Sequence, residues 1–95
     1  MSRTKRKQSE ASELSALANI GPTIERRLNE IAVRSRSDLA EIGPVEAYRR
    51  IKARNPQKTI SVCYYLYSLQ GALIGCHWDD LPDDQKADLR REAGV

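Results

Sequence analysis

Ninety-five residues, 40% of them apolar, are enough for one domain with one core. No Phe is present and the aromatics are Trp78 and four Tyr, so that core must be built mainly from Leu, Ile, Val and Ala. No apolar run approaches the ~20 residues that span a bilayer, the basic N-terminus has no apolar segment behind it and so does not read as a secretory signal, and Cys63 and Cys76 do not make a disulfide scaffold, which points to a reduced, cytoplasmic setting.

The net charge of +3 is unevenly spread. Residues 23–58 hold nine Lys/Arg against five Asp/Glu, whereas residues 79–95 hold three against six. The sequence therefore predicts an electrically two-sided molecule, which bears on partners rather than on fold.

Residues 1–11 form a polar lead with Arg3, Lys5, Arg6 and Lys7 close together and nothing apolar to bury after Met1. They are expected to be a disordered basic tail preceding a helical domain over 12–95. Ser12 suits an N-cap, with Leu14 and Leu17 on one face of a short helix. Leu17-Ala18-Asn19-Ile20-Gly21-Pro22 then reads as a tight turn pinned by Gly21, with Pro22 opening a second helix. In that helix Ile24, Leu28 and Ile31 fall on one buried stripe.

Ser35 and Asp38 have capping-box spacing for a further short helix that ends at Gly43. Here the chain repeats itself, with Leu39-Ala40-Glu41-Ile42-Gly43-Pro44 followed by a helix carrying Val45, Tyr48 and Ile51 inward. Both Gly-Pro turns precede an Arg-Arg pair, Arg26-Arg27 and Arg49-Arg50. Pro56 disfavours helical geometry in Asn55 and stops that helix.

Thr59–Tyr67 is β-rich in composition, but apolar character runs on through Leu66, Leu69, Ala72, Leu73 and Ile74, and a lone strand would have nothing to pair with. Residues 59–74 are therefore expected as a central helix, with Cys63 a small core residue, Gly71 admitting a neighbouring helix and Gly75 ending it. Trp78 caps the core. Leu81-Pro82 opens a last helix with Asp83 and Asp84 at its start, Arg90 and Arg91 at its end and Gly94 beyond, charges that suit the helix dipole. The expected fold is all-α, a single small bundle of five or six short helices.

The Gly-turn-helix unit has a chemical use. The first N–H groups of a helix lack intrahelical partners and carry partial positive charge, so a bare helix start can accept a phosphate oxygen. Two such starts, flanked by cationic side chains, would read nucleic-acid backbone rather than base sequence. Leu14-x-x-Leu17-x-x-Ile20-Gly21-Pro22, with Leu28, Ile31 and Val33 behind it, resembles the helix-hairpin-helix motif, in which hairpin amides bind DNA phosphates. Asn19 stands at the motif's usual first glycine, a position that Asn tolerates because it enters the left-handed region readily. Glu25 near the helix start would repel a phosphate.

A longer resemblance spans residues 14–90. Leu17-x-Asn19-Ile20-Gly21-Pro22, Arg34-Ser35-x-x-Asp38-Leu39, Gly43 with Ala47-Tyr48, Tyr67-x-Leu69-x-Gly71-Ala72 and His77-Trp78-x-x-Leu81-Pro82 look like the C-terminal domain of TfoX/Sxy-type proteins, bacterial regulators of competence for DNA uptake. That resemblance implies a helical fold related to the SAM-like and helix-hairpin-helix group and a regulatory role without a known chemical activity.

The candidate nucleic-acid-binding residues are Asn19, Gly21, Thr23, Arg26, Arg27, Gly43, Arg49, Arg50 and Lys52. Against them stands the plainer reading of Gly21 and Gly43 as sharp interhelix turns, and of the arginines as a solvated face with Arg26–Glu30 and Glu46–Arg50 ion pairs. No catalytic, cofactor or metal residues are assigned. There is no glycine-rich nucleotide loop or nucleophile with a base, and Cys63, Cys76, His77 and Asp79 lack the paired spacing of a zinc site. Duplex DNA is one expected partner. The other is a transcription regulator, or a second copy in a homodimer, with Tyr64, Tyr65 and Tyr67 serving either the core or such a surface. No membrane or small-molecule substrate is expected.

Overall fold

Pro22 pre-sets the backbone of a first helical turn, and helix α1 runs from it, Pro22–Glu30. The structure, a computed structural model, describes Leu14 and residues 16–95. Ile24 and Leu28 of α1 are fully buried, as their spacing requires. Helix α1 ends in a Schellman turn in which the Ala32 amide donates to Asn29 and the Val33 amide to Leu28, with Ala32 itself left-handed at φ 66°. Val33, buried against the core, supplies the apolar contact that accompanies such an end.

Helix α2, Arg36–Arg54, begins at the expected cap. Ser35 Oγ accepts the Asp38 amide at 3.1 Å, while the Asp38 carboxylate accepts the Arg34 amide at 3.0 Å. Gly43 interrupts the helical backbone, so Arg36–Arg54 is two helical segments, the first ending at Gly43 as expected. Its φ of 83° and ψ of 158° lie in a region essentially restricted to glycine, and Pro44 restarts the helix directly. Among the described residues the α-helices are thus α1, α2 in two segments and two further helices described below, close to the five or six short helices expected, and the fold class is all-α as read. The expected Ser12-capped helix and the basic tail lie almost wholly outside the described residues, Leu14 excepted, which is helical and fully buried.

The β-rich run is helical, with a change of pitch. Val62–Tyr67 form a π-helical turn, capped by Ser61 Oγ accepting the Tyr64 amide at 3.2 Å, and lead into α3, Ser68–Ile74. A π-turn bonds i to i+5 and so rotates successive faces away from the α period. Tyr65 through Leu69 are consecutively buried as a result, while Cys63 and Tyr64 face solvent. Cys63 is therefore not the core residue that an unbroken α-helix would make it, and Ile74, on the same expected apolar helix, is 51% exposed. A short 3-10 helix, Trp78–Asp80, is capped by His77 Nδ1 accepting the Asp79 amide. The last helix, α4, Asp83–Ala93, opens with Asp83 and Asp84 and closes with Arg90 and Arg91.

Helix α2 is the packing centre, touching α1, the π-turn, α3 and α4. Its Tyr48, 2% exposed, donates its hydroxyl to the Ile60 carbonyl at 3.1 Å. Among the described residues no helix is long and apolar enough to cross a membrane.

Candidate nucleic-acid interface

The turn ahead of α1 is held by a side chain rather than by Gly21. Asn19 takes the left-handed conformation at φ 70°, whereas Gly21 sits at φ −93°, ψ −175°, extended backbone open to any residue. The special backbone read into Gly21 therefore belongs two residues earlier. Asn19 Nδ2 donates to the carbonyls of Cys76 at 3.0 Å and Ser68 at 3.3 Å, and Oδ1 accepts the Trp78 amide at 3.2 Å. Gly71 makes room for this. A Cβ there would stand 2.5 Å from Asn19 Nδ2 and 2.6 Å from the Cys76 oxygen, so the close neighbour is the Asn19 side chain and a loop carbonyl instead of another helix.

With Asn19 engaged elsewhere, the start of α1 is bare. Gly21 is its N-cap and, among the described residues, no side chain accepts from the first turn. The first bond of the helix is Glu25 N–H to the Gly21 carbonyl, 2.9 Å, and the amides of Thr23 and Ile24 have no partner among the described residues. Nothing lies within 4 Å of where a Gly21 side chain would begin. By contrast, α2, the π-turn and the 3-10 helix each have a side-chain cap, and α4 starts with two aspartates. Thr23 is half-buried in this turn and Arg26, exposed, follows on the same helix. Glu25 is half-buried in the same turn and opposes an incoming anion.

The remaining candidates divide. Arg27 is not a free surface cation: its side chain is 11% exposed and lies 3.5 Å from Glu30, which thus pairs with Arg27 rather than with Arg26. Its Nε is buried with no partner among the described residues. Arg49 donates to the Glu92 carbonyl, Arg50 pairs with Glu46 at 2.9 Å, and the Lys52 ammonium lies 5.9 Å from the centre of the Tyr48 ring. The two turns also open onto different surroundings. Gly43 and Pro44 line a groove against α4 that carries Glu46, Asp88 and Glu92 against the single cation Arg49. Three carboxylates beside a helix start oppose a phosphate there. Gly21, Thr23 and Arg26 are thus gathered at one bare start, and Gly43, Arg49 and Arg50 around an acidic one. The sequence repeat shows Glu46 but not the other two carboxylates, because Asp88 and Glu92 come from α4, far along the chain. Among the described residues, no three His, Cys, Asp or Glu side chains are grouped to hold a metal ion.

A small all-helical domain, with a pinned Asn in the turn before a helix start that has no side-chain cap among the described residues, is the class that this geometry defines. The family model of the TfoX C-terminal domain matches residues 10–93, and the chain belongs to that family, a module of competence-regulator type. Two crystal structures from Listeria monocytogenes resemble it. One, an uncharacterized protein in a triclinic form, is 31% identical over 81% of this chain and 84% of that one, with a TM-score of 0.72. The other, a protein of unknown function in a tetragonal form, is 30% identical over 85% of this chain and 96% of that one, with a TM-score of 0.74. No relative of the chain is found among curated proteins.

Proposed function

We propose that the chain is a non-enzymatic regulatory module whose α1 start makes weak, sequence-independent contact with a nucleic-acid backbone. The bare first turn of α1 carries this reading. A helix whose Thr23 and Ile24 amides are unpartnered among the described residues, with open space at Gly21 and an exposed Arg26 on the same helix, is suited to a phosphate oxygen. The contact is confined to this one turn, since the Gly43 start faces carboxylates.

Gly21→Asp tests it. An aspartate fits the open space and the extended backbone, caps the first turn and places a negative charge where the phosphate would sit. Anisotropy titration with duplex DNA at two salt concentrations should show binding by the native chain and its loss in the variant, while thermal stability holds or rises. Glu25→Gln should tighten binding about two- to fivefold, the value of one charge at a helix end. Arg26→Ala should lower the slope of log affinity against log salt by about 0.9. Binding untouched by Gly21→Asp would refute the assignment. A second reading, docking onto a transcription regulator without DNA contact, draws on the exposure of Tyr64, 47%, and Ile74, 51%. It predicts capture of that regulator that fails in Tyr64→Ser and Ile74→Ser and survives Gly21→Asp.

A further inference from the structure

The sequence makes the C-terminal end acidic on balance, but the fold sorts its charges by side. At α-helical spacing, Asp84, Asp88 and Glu92 stand at i, i+4 and i+8 along one flank of α4, and Lys86 and Arg90 along the other, with Leu89 turned to the core between them. Each flank borders a groove. The one toward α2, about 460 Å³, has an apolar floor including Pro44, Val45 and Leu89 and a rim of Glu46, Asp88 and Glu92 with Arg49 as its one cation. The one toward Tyr67, about 420 Å³, is lined by Lys86, Arg90 and Arg91 with Asp83 as its one acidic side chain.

We propose that the chain associates with itself head to tail, the acidic groove of one copy receiving the cationic flank of the next. The occupant is argued from charge complementarity. The groove toward α2 sets Glu46 of α2 with Asp88 and Glu92 of α4 over an apolar floor, and the groove toward Tyr67 is lined by three cations of α4, Lys86, Arg90 and Arg91. The cations are available. Arg90 has no ion pair among the described residues, and Arg91 pairs with Asp88 across an exposed surface, where such a pair is worth little and exchanges readily. Lys86 is held in place by the Tyr67 and Trp78 rings, 5.7 and 6.0 Å away, and by Asp79 at 3.7 Å. Because the two halves line different grooves, each contact leaves one half free at either end. Assembly is then heterologous and does not stop at two copies. It is independent of nucleic-acid contact at α1.

The test is sedimentation velocity over a concentration series at about 0.01 M salt, where charges act over about 30 Å, and at about 1 M, where they act over about 3 Å. The native chain should grow past a dimer at low salt and be monomeric at high salt. Asp88→Lys/Glu92→Lys, which places cations toward the C-terminal end of α4 and so favours the helix, should be monomeric alone, as should Arg90→Glu/Arg91→Glu. Mixed at low salt, the first still offers the cationic flank and the second the acidic groove, and they should form a one-to-one pair that grows no further. A native chain that stays monomeric at low salt, or stops at two copies, overturns the proposal. So does either variant assembling alone, or a mixture that fails to pair while circular dichroism shows both folded.

Discussion

Removing the Asn19 side chain should be among the costliest changes the domain can suffer outside its apolar core. The side chain ties the turn before α1 to the start of α3 and to the 3-10 helix, through the Ser68 and Cys76 carbonyls and the Trp78 amide. In Asn19→Ala the Cys76 carbonyl and the Trp78 N–H lose their partners in a half-buried setting, at about 1–2 kcal/mol each, and the longer Ser68 bond adds little. Alanine must also hold φ near 70°, at about 1 kcal/mol more. The loss comes to roughly 3–5 kcal/mol, against a total stability of about 5–15 kcal/mol for a domain of this size. Asn19→Gly escapes the backbone part and should cost about 1 kcal/mol less than Asn19→Ala. Asn19→Asp keeps the shape but turns a carboxylate toward two carbonyls, and should be the least stable of the three.

Urea unfolding followed by circular dichroism should give that order with an unchanged m value. Gly71→Ala strikes the same staple, since its Cβ would press on Asn19 Nδ2 and the Cys76 oxygen together. In an Asn19→Gly background one of those two clashes is gone, so the double variant should be more stable than the sum of the single losses implies. An Asn19→Ala loss below about 1 kcal/mol, or additivity with Gly71→Ala, would refute the view that this side chain holds the turn before α1 in place.

Two further outcomes follow from single residues. Ala32 holds a left-handed conformation, φ 66°, at the end of α1, so Ala32→Gly should stabilise the domain by about 0.5–1 kcal/mol, read from the urea midpoint. Burial pushes the Tyr48 phenol above its ordinary value of 10.0. The unfolded chain therefore releases this proton at lower pH than the folded one, and the associated stability is complete below the ordinary value and lost as pH rises through the folded one. Tyr48→Phe leaves the Ile60 carbonyl unpaired, costing about 1–2 kcal/mol at neutral pH, and should flatten the alkaline decline in the same titration.

Helix ends were largely legible because their signals are local. Pro22, the Ser35–Asp38 pair, Asn55-Pro56, Gly75, Pro82 and Gly94 each act within a few residues, and each marks an end in the structure. What the sequence concealed depends on contacts between distant segments. Asn19 could be seen to tolerate the left-handed region, but not that its amide would reach Ser68, Cys76 and Trp78. The apolar run over 59–74 was readable as a helix, but not its π-turn, which turns Cys63 and Tyr64 outward. Arg27 and Arg26 look alike in one dimension, and packing alone makes the first 11% exposed and leaves the second open to solvent. At the candidate site the donors of α1 were legible, and the carboxylates that α4 brings to Gly43 were not.

These contacts explain why a helix start can stay bare in a stable domain. Ordinarily the residue entering a helix both fixes the chain's approach and caps its amides, so the turn is rigid but its donors are occupied. Here the two tasks are separated. Asn19 fixes the approach by bonding to α3 and the 3-10 helix, two residues before the cap position. The cap position itself is glycine in unremarkable extended backbone, with space for a side chain that would have closed the site. Glycine forgoes only a few tenths of a kcal/mol against a serine or aspartate there, a loss the staple outweighs severalfold. Rigidity from one residue and an uncapped position from another leave the amides of Thr23 and Ile24 unpartnered among the described residues, with their direction set by the body of the fold.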